Sequence, residues 1–168
     1  MNAVRGRILR LLAGTIAVIS ACVWGGLPRG HATIDELALN GVFTATSDGQ
    51  WAKTNERFRD EATVTSRWTV TSSCRDALDC TGQVASDLGW TAKIRYLSGM
   101  WFVTRTLEGW VRCPDGTSGQ GQQIYKFRPD PAKGGLLEGW DTTKGQSGAC
   151  GISRPLVIEL PFQLVPAE

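Results

Sequence analysis

Four cysteines, Cys74, Cys80, Cys113 and Cys150, carry the clearest chemistry in the sequence. An even number of cysteines in an exported chain is typical of a disulfide framework. Metal binding by cysteine needs close Cys-x-x-Cys pairs or added histidines, and the sequence contains no such spacing. Four cysteines allow three connectivities. Because a turn at 75–79 separates the first two, locality favours Cys74–Cys80 and Cys113–Cys150.

The sequence offers little for catalysis. Its single histidine, His31, lies in a segment that export would remove, so no Ser-His-Asp or Cys-His pair and no histidine zinc site is expected. Two acidic pairs, Asp60–Glu61 and Asp76–Asp79, are candidates for a glycosidase-like pair of carboxylates. Adjacent strand residues point to opposite faces, and the second pair flanks a cysteine loop, so we interpret all four as solvated turn acids. We therefore predict a protein that is not an enzyme, with no cofactor and no metal.

Two glycine-rich segments also lack a chemical signature. Residues 116–121 contain no Lys-Ser/Thr pair of the kind that a phosphate-binding loop requires. Residues 141–145 do not match the spacing of a calcium-binding EF-hand. We interpret 117–121 and 141–151 as polar loops.

Residues 1–32 have the pattern of a signal peptide. Arg5, Arg7 and Arg10 precede the apolar run 11–21, and small residues at Gly30 and Ala32 predict cleavage before Thr33. The apolar run 11–27 contains three glycines and is short for a membrane span, which needs about 20 apolar residues. We predict that 1–32 are removed, that 33–39 are a lead-in and that 40–168 form the mature domain.

Lipidation is an alternative fate of the leader. Residues 19–22, Ile-Ser-Ala-Cys, resemble a bacterial lipobox, in which Cys22 would be acylated and become the N-terminus. A membrane attachment is then expected only through the signal or the lipid.

The leader also explains the basic charge of the chain. It holds four of the 18 basic residues and none of the 16 acidic ones, so its removal leaves a net charge of −2. Proteins that bind nucleic acid usually present a strongly basic face, and we expect no such partner here.

The elements that position these residues are predicted to be short antiparallel strands. Period-two alternation is clearest from 62 to 72, where Val64, Trp68 and Val70 alternate with threonines and Arg67. Further strands are predicted in the segments 40–46, 81–86, 90–96, 100–105, 109–113, 122–128, 136–140 and 156–164. Turn residues separate them every eight to twelve residues, which predicts an all-β fold. We expect a single antiparallel barrel of about eight strands, lipocalin-like or similar, behind a signal helix; a β-sandwich is the alternative.

The tryptophans leave two interpretations open. Aromatic residues usually fill the core of a small β-domain, and Trp51 and Phe58 are predicted to anchor the polar segment 50–60. A barrel of eight strands can also hold one small ligand. In that case Trp68, Trp90 and Ile94 would line the cavity.

Several segments resemble a group of small exported proteins of mycobacteria and their relatives. They are LNGVFTATSDGQWAKTNE, SSC with CTGQVASDLGW, WVRCPDG, SGACG and LVIELPF, between Leu39 and Val165. The resemblance implies an envelope or extracellular location in a high-GC Gram-positive bacterium. It carries no established activity and therefore no catalytic residue.

The sequence as a whole predicts an exported, non-catalytic protein, secreted or held at the outer face of the membrane. We expect it to bind a protein or a wall component through its loops, with 48–57 and 142–147 as candidates. The alternative function is a carrier of a small apolar ligand or a lipid.

Processing can be tested directly. We expect the protein isolated from its own host to begin either at Thr33 or at an acylated Cys22, which intact-mass spectrometry separates. A chain that retains Met1 would contradict export.

Overall fold

The computed structural model describes residues 37–134 and 136–167. The strands are β1 (Gly41–Ser47), β2 (Lys53–Thr54), β3 (Arg57–Phe58), β4 (Val64–Asp76), β5 (Asp79–Ser86), β6 (Thr91–Leu97), β7 (Met100–Arg112), β8 (Ser118–Asp130), β9 (Leu136–Gly145) and β10 (Val157–Pro166). Short 3-10 helices span Gly49–Trp51, Pro131–Lys133 and Ala149–Gly151. The leader, including Cys22 and His31, lies outside the described residues, and its predicted processing stays a prediction.

Eight strands close into an antiparallel barrel, as predicted. The strands β4 to β10 pair in sequence order, and β1 pairs with both β4 and β10. Closure removes the free edges that an open sheet would expose. The hairpin of β2 and β3 lies outside this ring, where β2 pairs with the first part of β10.

The core follows from the alternation of side chains. On β4, Ser66, Trp68 and Val70 are buried while the residues between them are exposed. Trp68 packs against Tyr125 and Phe162, with ring centroids 4.8 and 5.3 Å apart, and Phe127 lies 5.4 Å from Phe162. These rings occupy the middle of the barrel.

The predicted loop 117–121 and the first part of the predicted loop 141–151 are wrong, because both belong to strands. The segment 117–121 contributes to β8, which begins at Ser118, and 141–145 completes β9. The two strands predicted at 100–105 and 109–113 are one strand, β7, with a register shift between Leu107 and Val111. Glycine has a low propensity for strands, which favoured loops in the sequence-based prediction. The pairing of β7 with β8 and of β8 with β9 overrides that propensity.

The predicted anchoring by Trp51 and Phe58 is also wrong. Trp51 is 62% exposed and Phe58 is 71% exposed. The segment 48–61 is held instead by backbone hydrogen bonds, such as those from Asp48 N to Pro161 O and from Glu61 N to Gly49 O.

Both predicted disulfides are present. Cys74 and Cys80 lie opposite each other on β4 and β5 and are joined. Cys113, just after β7, is joined to Cys150 in the last 3-10 helix. The second bridge fastens the end of the β7–β8 hairpin to the segment that follows β9.

Within the described residues, no cluster of three or more metal-ligating side chains occurs. The same part of the chain contains no helix with the length and apolar character that a membrane crossing requires.

The two bridges should differ in their contribution to stability. In the chain-entropy model, a bridge across 37 residues contributes about 4 kcal/mol and one across six about 2 kcal/mol. We expect reductant to lower the free energy of unfolding more in C74A/C80A, which keeps Cys113–Cys150, than in C113A/C150A. Urea denaturation of each variant with and without reductant isolates each bridge, and an equal loss would contradict this ranking.

Candidate ligand site at the open end of the barrel

The two ends of the barrel interior have different chemistry. At one end the inward residues are large and apolar, and include Phe43, Trp101, Leu137 and Leu164. Along the same strands, towards the other end, they become Ser47 on β1, Arg105 on β7, Gln123 on β8, and Asp141 and Thr143 on β9. We call this second end, beyond the layer of Trp68 and Phe162, the open end.

Asp141 is the centre of a buried hydrogen-bond network. Its side chain accepts from Ser47 Oγ at 2.7 Å and from Gln123 Nε2 at 2.8 and 3.0 Å. The residue is only 3% exposed. A buried carboxylate requires such donors, because an unsatisfied charge away from water is costly.

Arg105 joins the network through Gln123. Its Nε donates to Gln123 Oε1 at 2.7 Å, so the amide links the guanidinium to the carboxylate. Its guanidinium carbon lies 4.3 Å from the ring centroid of Trp90, the geometry of a cation–π contact. Neither Nη atom has a hydrogen bond or an ion pair within the described part of the chain.

Burial determines the ionisation of this end. It raises the pKa of Asp141, and the hydrogen bonds from Ser47 and Gln123 and the charge of Arg105 only partly oppose this. It also raises the pKa of Tyr125, with a further contribution from the charge of Asp141, so the phenol is neutral at physiological pH. Burial lowers the pKa of Arg105, although a guanidinium remains protonated in proteins.

These polar groups form the floor of a pocket of about 260 Å³. Its walls are largely apolar and come from segments far apart in sequence: Ala62, Val64, Leu88, Leu107, Trp110, Ile158 and Leu160. Apolar walls with a few fixed polar groups are the usual composition of a small-molecule site.

Trp110 forms its wall because two glycines make room for it. A Cβ on Gly121 would lie 2.8 Å from the indole, and one on Gly145 would lie 3.4 Å from it. The glycines that weakened the strand signal of β8 and β9 therefore allow an aromatic ring to pack directly on the backbone.

Trp90 lies between the core and the open end. Its ring centroid is 5.4 Å from that of Trp68 and 6.2 Å from that of Tyr125. Its indole nitrogen is buried and has no hydrogen-bond partner in the described structure. The ring thus provides a platform for Arg105, and Arg105 in turn lines the pocket.

The three residues predicted to line a cavity pack in or against the aromatic core. Trp68 and Ile94 are buried in the packed core, and Trp90 alone reaches the open end.

Two of the acidic residues predicted to lie in solvated turns have partners in the structure. Asp79 forms an ion pair with Arg75 at 2.6 Å, whereas Glu61 accepts a hydrogen bond from Thr54 and lies at the rim of the pocket.

Sequence reasoning did not identify Arg105, Gln123 and Asp141 as site residues. The sequence did contain a signal for them. Each is a polar residue on the inward face of its strand, the face that also carries Val103 on β7, Tyr125 on β8 and Leu137 on β9. The segment 142–147 was proposed as a binding loop, but 142–145 are in β9 and Thr143 is buried.

Comparisons with known proteins identify a similar fold. The chain is similar to the solved monomer form of the M. tuberculosis PknI sensor domain, with a TM-score of 0.56 and 14% sequence identity. The match covers 77% of this chain and 88% of that one. No protein-family model matches the chain, and no curated protein matches it.

The buried carboxyl group of Asp141 should make stability depend on pH. Its folded pKa is raised above the ordinary 3.8, so the folded chain binds more protons than the unfolded chain between the two pKa values. The free energy of unfolding should therefore fall as pH rises through that window, by about 1.4 kcal/mol per pH unit at most.

We expect D141N to lose this dependence, so that the advantage of the wild type over D141N shrinks between pH 4 and pH 8. Urea denaturation at a series of pH values measures it, with D60N, at an exposed site, as the control. A wild-type advantage that grows with pH would show instead that the network lowers the pKa of Asp141.

Proposed function

We propose that the protein is an exported, non-catalytic binding domain that takes a small amphipathic anion into the open end of its barrel. The observation that carries the proposal is Arg105, which is half-buried, stacked on Trp90 and without an ion-pair partner in the described structure. A guanidinium with two unused Nη groups matches a carboxylate or a phosphate in charge and shape.

The network supports this role by fixing the cation. Gln123 accepts from Arg105 Nε and donates to Asp141, so the guanidinium is oriented without being neutralised by direct contact. Asp141 has its own donors in Ser47 and Gln123, which reduces its repulsion of an incoming anion.

The apolar walls of the pocket determine which non-polar part the ligand can have. Leu107, Trp110 and Leu160 offer apolar surface above the polar floor, and the volume of about 260 Å³ suits a short apolar body. The packed aromatic core beneath the pocket leaves no room for a long acyl chain. The structure therefore supports a receptor for a small molecule, or for one end of a larger molecule, better than a carrier of a whole lipid.

Three features favour binding over catalysis. The described residues contain no histidine. Ser47 is buried, and its hydroxyl donates to the carboxylate of Asp141, which also accepts from Gln123.

The two disulfides are consistent with a location outside the cytoplasm, either secreted or at the outer face of the cell envelope. The protein would meet its ligand there.

Three probes with one tail and different heads test the proposal: octanoate, octanol and octylamine. We expect octanoate to bind the wild type most tightly and octylamine most weakly, by isothermal titration calorimetry. In R105M we expect the affinity for octanoate to fall at least tenfold, since charge-assisted hydrogen bonds contribute about 1.5–3 kcal/mol, while octanol is little affected.

R67M is the matched control, because Arg67 is an exposed arginine on the outer face of β4. It should bind all three probes as the wild type does, and thermal melting should show that both variants are folded. Equal affinity for the three head groups, or unchanged octanoate binding by R105M, would contradict the proposal.

A further inference from the structure

The outer face of the barrel carries a second feature, separate from the open end. A groove of about 610 Å³ crosses β6 to β10, and its apolar residues are Leu97, Phe102, Ile124 and Trp140. Leu97 is 41% exposed and Trp140 is 44% exposed. We call this surface the outer groove.

Cations and aromatic rings alternate across the outer groove. Arg95 on β6 is in register with Phe102 on β7, Phe102 with Lys126 on β8, and Lys126 with Trp140 on β9. Adjacent strands are about 4.8 Å apart, so the two cations of this row are about 10 Å apart.

The β2–β3 hairpin extends the same chemistry beyond β10. Lys53 Nζ lies 5.1 Å from the ring centroid of Phe58 and 5.7 Å from that of Trp140. Lys126 Nζ similarly lies 5.9 Å from the ring of Phe102. The exposed Phe58, which contributes nothing to the core, thus has a place beside the groove.

The cations of this surface form no ion pair with the described part of the chain. The ion pairs among the described residues involve Arg75 with Asp76 and Asp79, and Lys133 with Glu138. Arg95, Lys126 and Lys53 therefore have no acidic partner within 4 Å there. One acidic residue, Glu159, lines the groove, and it lies in register with Lys53. A locally basic surface on a chain whose predicted mature charge is negative favours an acidic partner.

From these observations we infer that the outer groove binds an extended acidic segment of a partner protein that also carries aromatic or aliphatic side chains. Carboxylates of the segment would meet Arg95, Lys126 and Lys53, and its apolar side chains would pack on Phe102, Ile124 and Trp140. An extended chain in the polyproline II conformation suits the row, because its residues three apart lie on one face and about 9 Å apart, close to the spacing of Arg95 and Lys126. This site is independent of the proposed ligand site, since its side chains lie on the opposite face of the strands.

The test uses two synthetic peptides, one with glutamate and one with lysine at every third position, each followed by phenylalanine. We expect the glutamate peptide alone to bind the wild type, by fluorescence anisotropy, and its affinity to fall as salt is added. We expect K126E to weaken this binding at least tenfold, and W140A to weaken it at constant charge.

K144E is the matched control, because Lys144 is exposed on the same strand as Trp140 but outside the outer groove. It should change the affinity less than twofold. Absence of binding to the glutamate peptide, equal binding of both peptides, or an equal effect of K126E and K144E would overturn the inference.

Two further measurements separate other occupants of the outer groove. Binding of phosphatidylglycerol vesicles without binding of the glutamate peptide would assign the surface to a membrane and overturn the inference. Self-association in sedimentation that K126E abolishes would assign it to a second copy of the chain, with the same consequence. Octanoate binding should be unchanged in K126E, so failure here is distinguishable from failure of the proposed ligand site.

Discussion

The limited space inside an eight-stranded barrel is the constraint on which this structure depends. Such a barrel is just wide enough for its inward side chains to fill. Four rings use that space in the middle: Trp68 lies 4.8 Å from Tyr125, Tyr125 lies 5.0 Å from Phe162, and Phe162 lies 5.4 Å from Phe127. Because aromatic rings bury a large apolar area each, a few of them suffice for a core. What remains for function is therefore the end that they do not fill and the outer surface of the sheet.

The open end shows how a polar site can be tolerated beside such a core. Asp141 is buried next to the ring layer, and its carboxylate accepts hydrogen bonds from Ser47 and Gln123. Removing one partner from a buried network of this kind usually costs more than the net value of any single bond. The same arrangement leaves Arg105 oriented and accessible, which is why the network and the proposed ligand site are one feature of the structure.

The sequence was sufficient for the fold class but insufficient for the site. Alternation in 62–72 and the spacing of turns predicted the barrel, and the short separation of Cys74 and Cys80 predicted their bridge, because these are short-range properties. Cys113–Cys150 followed as the remaining pair. Arg105, Gln123 and Asp141 are brought together by the register of β7, β8 and β9, which no local pattern reports. The glycines at 121 and 145 were misleading for a related reason. They weaken a strand locally, and the packing of Trp110 on Gly121 and of Val111 and Trp110 on Gly145 explains them. Phe58 was assigned to the core by residue type alone, although its strand lies outside the closed ring.

The central claim is that a ligand enters the open end without disturbing the aromatic core, and the indole N–H resonances of the tryptophans test it most directly. In two-dimensional NMR of nitrogen-15-labelled protein titrated with octanoate, we expect Trp110, which lines the pocket, and Trp90, which is stacked on Arg105, to shift progressively. We expect Trp68 and Trp101, buried among other core side chains, to keep their positions. Shifts of Trp68 and Trp101 instead, with Trp90 and Trp110 unchanged, would contradict the claim.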